Sequence, residues 1–239
     1  MLSDDAVERA LVITAHPDDV DFGAAGTMAA WTSAGIEVTY CIVTDGDAGG
    51  FDPAVPRTAI AGIRREEQTA AAKHVGVERL VFLGYPDGQL EATLGLRRDL
   101  SRVIRQVRPQ RVVLQSPDRN YARIFASHPD HLAAGEAALC AVYPDARNPF
   151  TFTELLEQEG LEAWSVPEVW MMATTEPSHA VDVTDHVDRK IAALLCHESQ
   201  HPDPTGMETR VRGWLTATAE SFGLPAGRCA EAFTVIATG

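Results

Sequence analysis

The sequence predicts an α/β chain: a Rossmann-like, doubly wound, mostly parallel sheet with helices on both faces. Three observations lead there. Short apolar runs alternate with helix-period segments through the first 115 residues, which is the pattern of βαβ units. Gly, Asp and Pro clusters punctuate the runs where turns are needed. Finally, 239 residues with 45% apolar content are enough for one full core, so a single domain over 1–239 is expected.

Taken in order, residues 10–15 read as the first strand, 23–34 as a helix of mostly small residues, and 38–44 as the second strand. The Gly/Asp-rich stretch 45–50 is the turn that follows. Residues 60–75 have helical periodicity, 80–83 read as the third strand, 94–107 as a helix and 112–115 as the fourth strand. Pro109 breaks the chain just before that strand, and Pro144 ends the helix-like segment that opens near His131. Beyond it the pattern loosens. Strands are expected at 169–173, 181–183 and 233–237, and a helix at 187–196.

The chain is acidic, with 34 Asp+Glu against 20 Lys+Arg and a formal net charge of −14. Such a surface repels phosphate backbones, so no nucleic acid partner is expected. No apolar stretch is long enough for membrane insertion and no signal segment precedes His16. Cys41, Cys140, Cys196 and Cys229 are scattered without a C-x-x-C pair, the usage of reduced thiols in a cytoplasmic protein.

The tripeptide His-Pro-Asp occurs at His16-Pro17-Asp18, His128-Pro129-Asp130 and His201-Pro202-Asp203. The third copy, flanked by Pro204, reads as a plain turn. The first two follow strands one and four. In a doubly wound sheet the strand order reverses between those two strands, and ligands bind in the crevice outside their carboxyl ends. Topology therefore brings the two motifs together. His16 and Asp19 can face one cation, with His131 as a third ligand from the other side, leaving positions open as in a catalytic metal site. Asp18 is placed to act as general base toward a water activated there. His128 could donate to a developing oxyanion or leaving group, and Asp130 could orient His128 or His131.

Ala15-His16-Pro17-Asp18-Asp19, then Gly23 and Gly26-Thr27, with His128-Pro129-Asp130-His131 downstream, resembles the PIG-L/LmbE family of zinc-dependent N-acetylglucosaminyl deacetylases. That family includes the deacetylases of mycothiol and bacillithiol biosynthesis. Ile63 to Glu67, the loop from Leu83 to Gly88, and Lys190 with His197 to Gln200 extend the likeness to roughly residues 10–200. The resemblance implies zinc, or iron in the cell, on His16, Asp19 and His131. It implies Asp18 as base, and His128 tuned by Asp130. Arg64 and Asp87 would hold hydroxyls of a small amino-sugar substrate. His197 would lie near the metal, in its own or a neighbouring subunit of a homo-oligomer. Residue by residue, Arg64 could instead pair with Glu67 along a helix, and His197 could cap a helix end. Where many members carry Glu after the doubled Asp, this chain has Val20 and then Asp21. The loop 116–127 and the segment 148–166 are expected to wall the pocket.

The reading that follows is a metal-dependent hydrolase removing an N-acetyl group from an amino-sugar conjugate. An amidase acting on a thiol conjugate is one alternative. A non-catalytic sugar- or nucleotide-binding α/β protein is another, disfavoured because no G-x-G-x-x-G or P-loop is present. A serine hydrolase lacks its G-x-S-x-G elbow.

Overall fold

The computed structural model describes residues 1–238; position 239, the last of the expected domain, lies outside the described residues. Among the described residues one seven-stranded sheet runs in the order β3-β2-β1-β4-β5-β7-β6. Its strands are β1 (Arg9–Thr14), β2 (Glu37–Thr44), β3 (Arg79–Tyr85), β4 (Arg111–Gln115), β5 (Glu168–Met172), β6 (His179–Asp182) and β7 (Ala230–Ala237). The first five strands are mutually parallel, and β7 runs antiparallel to both β5 and β6. The order reverses between β1 and β4, as the sequence implies.

Alternation along each strand explains why both faces are covered. Ala10, Val12, Val38, Tyr40 and Ile42 point to one face and pack with Met28, Trp31, Ala71 and Ala72. Leu11, Ile13, Cys41, Val112 and Leu114 point to the other and pack with Leu96, Leu100, Ile104 and Ala137. The helices here are α1 (Asp19–Gly23), α2 (Ala25–Ser33), α3 (Arg57–His74), α4 (Leu94–Val107) and α5 (Pro129–Cys140), of which α2 to α5 supply these side chains. The short α6 (Glu154–Glu157) lies within the expected wall segment, and α7 (Val187–Leu195) and α8 (Pro204–Ser221) complete the set. Among the described residues, no helix is long and apolar enough to cross a membrane.

Two elements differ from expectation. The helix anticipated over 23–34 is two helices broken at Ala24, whose φ is −148°. The break is stabilised from far away in sequence. Lys190 donates to the carbonyls of Asp21 (2.8 Å) and Phe22 (2.6 Å) at the end of α1. Glu231 accepts from the amides of Gly26 (3.0 Å) and Thr27 (2.7 Å) at the start of α2. Helix termini need such partners, and here they come from α7 and β7. The second difference is the third His-Pro-Asp. It is less a plain turn than a helix start: the Asp203 side chain accepts from the Gly206 amide at 3.0 Å with Pro204 at the first helical position of α8, a familiar N-cap arrangement.

α5 lies hard against the end of β4. A Cβ placed on Gly135 would sit 2.3 Å from the carbonyl oxygen of Gln115 and 3.0 Å from Pro117 N. Backbone atoms cannot yield as a flexible side chain would. Gly135→Ala is therefore expected to cost about 1–3 kcal/mol, the usual penalty of overpacking. Urea denaturation measures it, and a midpoint equal to wild type would contradict so close an approach.

Candidate metal centre and active site

Register sets the site's position. Ile13 pairs with Cys41 on one side and with Leu114 on the other, so β1 and β4 end level with each other. The amide of Ala15 donates to Gln115 Oε1 at 2.8 Å, and the amide of Thr44 to Ala15 O at 2.8 Å. These bonds stitch the carboxyl ends of three strands together. His16 to Asp19 leave from the middle of that edge, and His128 to His131 enter α5 beside them.

The two motifs meet. His16 Nδ1 lies 3.2 Å from His131 Nε2 and 3.3 Å from Asp19 Oδ2, and His131 Nε2 lies 3.0 Å from Asp19 Oδ1. Donor atoms bound at 2.0–2.1 Å in a tetrahedral shell are separated by roughly 3.3 Å, so these three groups are spaced to share one cation. His128 joins His16 and His131 in a cluster whose ring nitrogens lie within 4.8 Å of one another. His16 faces carboxylates on its far side too, with Nε2 at 3.1 Å from Asp87 Oδ1 and 3.2 Å from Asp130 Oδ2. A ligand histidine whose second nitrogen is held by a carboxylate is oriented and made more basic. The donor set therefore fits a divalent metal: two imidazoles and a carboxylate, with acidic support behind one imidazole.

Electrostatics agree with that fit. Burial disfavours a charged His16, yet the surrounding carboxylates of Asp19, Asp130 and Asp87 raise its pKa to about 12. Burial likewise opposes charge on His131, but Asp19 raises it. Asp19 itself is buried, and the two imidazoles hold its carboxyl well below the ordinary value. A pocket with this many carboxylates favours positive charge, from protons or from a metal.

Asp18 occupies the left-handed region, with φ 87°, which is uncommon for a residue with a side chain. Its amide donates to Gln68 Oε1 at 2.8 Å, and its carboxylate accepts from Arg64 Nη2 at 3.1 Å. Arg64 also donates to the carbonyls of Pro17 and Gly46. Burial pushes the Asp18 carboxyl up, Arg64 lowers it and Asp19 raises it again, leaving it at about 6. Asp130 accepts from the amides of Gly88 (2.7 Å) and Leu90 (3.2 Å). Its own amide donates to His128 Nδ1 at 3.2 Å.

Several side chains meet protein partners that the sequence does not name. The Asp130 carboxylate faces His16, not His128 or His131. Arg64, Asp87 and His197, anticipated at sugar hydroxyls or the metal, are 4%, 7% and 0% exposed and are engaged by protein groups. Arg64 binds Asp18 and not Glu67, whose carboxylate takes the amide and hydroxyl of Ser199. His197 Nε2 lies 2.8 Å from Asp21 Oδ2, and both side chains are fully buried. Gln68 escaped sequence reading, although its position one helical turn after Arg64 puts both on one face of α3. Surface hollows around Thr32, Gly35 and Gly76 and around Arg79, Arg105 and Gly160 lie at the opposite, amino-terminal end of the sheet, away from this cluster.

Comparison with known proteins decides the family. Residues 11–142, more than half of the chain, match the family described as PIG-L, GlcNAc-PI de-N-acetylase. The chain belongs to the PIG-L family. A diacetylchitobiose deacetylase of Thermococcus kodakarensis is 34% identical over 82% of this chain and 72% of its own length. A probable N-acetyl-α-D-glucosaminyl L-malate deacetylase 2 of Bacillus anthracis is 32% identical over 88% of this chain and 89% of its own. Among solved structures, N,N'-diacetylchitobiose deacetylase from Pyrococcus horikoshii superposes with a TM-score of 0.89 at 30% identity, covering 98% of this chain and 85% of that one. A 4-carboxy-2-hydroxymuconate hydratase from Pseudomonas putida shares the fold at a TM-score of 0.79 and 22% identity. The fold alone therefore does not name the reaction.

Proposed function

We propose that this PIG-L member is a metal-dependent hydrolase that removes the acetyl group from an N-acetylglucosamine-type conjugate, and that residues 1–239 act as one catalytic domain. The observation that carries this reading is the convergence of His16 Nδ1, His131 Nε2 and the Asp19 carboxylate at 3.0–3.3 Å, with Asp18 the residue before Asp19 in the chain. The PIG-L match and the named deacetylase relatives support the substrate class.

His16, Asp19 and His131 would hold the cation, with Asp87 and Asp130 orienting His16. Zinc is the metal we propose, with iron(II) as the cellular alternative, since imidazole and carboxylate suit both. When bound, such a cation supplies Lewis acidity toward the amide carbonyl and toward water. Asp18 takes the proton of the attacking water and returns it to the departing amine. Arg64 holds one oxygen of that carboxylate and fixes its direction. Burial and the positive charge centred on His16 and His131 lower the pKa of His128, and a cation held there would act in the same direction. Because the Asp130 amide donates to its Nδ1, the neutral ring carries its proton on Nε2. That proton serves the oxygen that gains charge during attack. Acetate and a free amine result. The free cysteines suit a reducing cytoplasm, where we place the enzyme.

A panel of N-acetylglucosamine derivatives, bare, β-linked to a second sugar, malate-linked, inositol-linked and lipid-linked, tests the reading through acetate release and free amine. No acetate from any member by the zinc-loaded protein would sink it. Release of a different acyl group from a thiol conjugate, seen by mass spectrometry, would point to the amidase alternative. The pH profile is a second check. Asp18 works only when ionised, so a pKa raised to about 6 makes kcat/KM fall as pH drops through that value. A bound cation takes the place of the protons on His16 and His131, so positive charge stays beside Asp18. The acid limb is expected at or below about 6; one centred above 7 would argue against this base.

A further inference from the structure

We propose that Gln68 is a positioning residue that holds the backbone of Asp18 in its working conformation, a role that rests on Asp18 being the general base. A non-glycine residue in the left-handed region costs roughly 1–2 kcal/mol, and such conformations persist only where the surroundings over-determine them. At Asp18, with φ 87°, two side chains on one face of α3 do this. Arg64 takes the carboxylate at 3.1 Å, and Gln68 Oε1 accepts the Asp18 amide at 2.8 Å.

The other end of the Gln68 amide is also engaged. Nε2 donates to Asp21 Oδ2 at 2.8 Å, the same oxygen that His197 Nε2 meets at 2.8 Å. That second bond fixes which way the amide faces. Flipped, it would set Nε2 against the Asp18 N–H and Oε1 against the Asp21 carboxylate, two repulsive contacts in a site where Gln68 is 0% exposed. Gln68 thus ties α3 to the Asp18 amide and to Asp21 of α1, whose carboxylate in turn meets His197 after α7. It touches the reaction only through Asp18. Methionine would fill the same volume, so packing alone does not call for glutamine here.

Gln68→Met and Gln68→Glu test the assignment. Gln68→Met keeps the bulk and loses both hydrogen bonds. It should lower kcat about 10- to 100-fold, the scale of a small misplacement of a reacting group. KM and bound metal should stay within about twofold, because substrate binding and the ligands are untouched. In metal-free protein, hydrogen exchange at the Asp18 amide should speed up by about tenfold or more, with the β1 amides unchanged. Gln68→Glu keeps an acceptor toward Asp18 but sets a second carboxyl against Asp21 Oδ2, so protection of the Asp18 amide should return only as pH falls and that carboxyl, once protonated, donates to Asp21. Unchanged kcat and unchanged exchange in Gln68→Met would overturn the assignment, as would a kcat loss that follows metal loss. A wild-type protein inert on every amino-sugar would defeat the deacetylase reading instead. The exchange comparison would then still decide whether Gln68 holds Asp18.

Discussion

Asp18→Asn is expected to lower kcat by about 10²- to 10⁴-fold, the range for loss of a positioned general base, while the metal content of the protein is unchanged. Asparagine is the informative replacement. It keeps the size of the side chain and tolerates the left-handed conformation that Asp18 adopts. The proposed ligand groups of His16, Asp19 and His131 are left intact, so metal analysis on the same sample separates loss of base from loss of cation. The variant also removes the carboxylate facing Arg64, a guanidinium 4% exposed. Arg64 keeps the Pro17 and Gly46 carbonyls, so the fold should survive with a lowered melting temperature. Steady-state kinetics on the zinc-loaded protein decide the matter. Turnover within a few-fold of wild type would remove Asp18 from the mechanism.

The largest stability effect should come from Lys190→Met, at about 3–5 kcal/mol, because it strands a buried carboxylate. Lys190 is 1% exposed, and its ammonium lies 2.7 Å from Glu231 Oε1. The same ammonium closes the end of α1 through Asp21 O and Phe22 O. Its loss leaves those carbonyls without a donor and Glu231 without a counter-charge. Glu231→Gln in the Lys190→Met background removes the stranded charge but keeps an acceptor for the α2 amides, so the double variant should be more stable than Lys190→Met alone. Guanidinium unfolding of the four proteins closes the thermodynamic cycle. If the two losses simply add, Lys190 and Glu231 are not coupled as their geometry requires. Because the pair braces the two short helices behind His16 and Asp19, its loss should also weaken metal binding.

Much of the site was readable in the residues. β1 and β4 announce themselves as short apolar runs followed by His-Pro-Asp, and the handedness of βαβ crossovers places their ends side by side. The distances among His16, Asp19 and His131 agree with that geometry. Other partners were not readable. Sequence spacing offers Glu67 to Arg64, since three residues on a helix are neighbours. In the folded chain Glu67 holds Ser199, and Arg64 turns to Asp18. Asp130 lies two residues from His128 and next to His131, yet the direction in which α5 starts aims its carboxylate at His16. The break at Ala24 has no local signal, because Lys190 and Glu231 stabilise it from more than 160 positions away.

The sequence by itself determined the layered α/β plan, the switch point between the first and fourth strands, and the pair of motifs that meet there. These depend on hydrophobic period, turn chemistry and chain handedness, all of which act over a few residues or by general rule. Only the tertiary structure decided which way each carboxylate, guanidinium and amide faces, and so which groups meet in the cluster and which partner each one has. Burial is the reason. A buried polar group must find a partner wherever the packed chain provides one, and that partner's distance along the sequence does not matter.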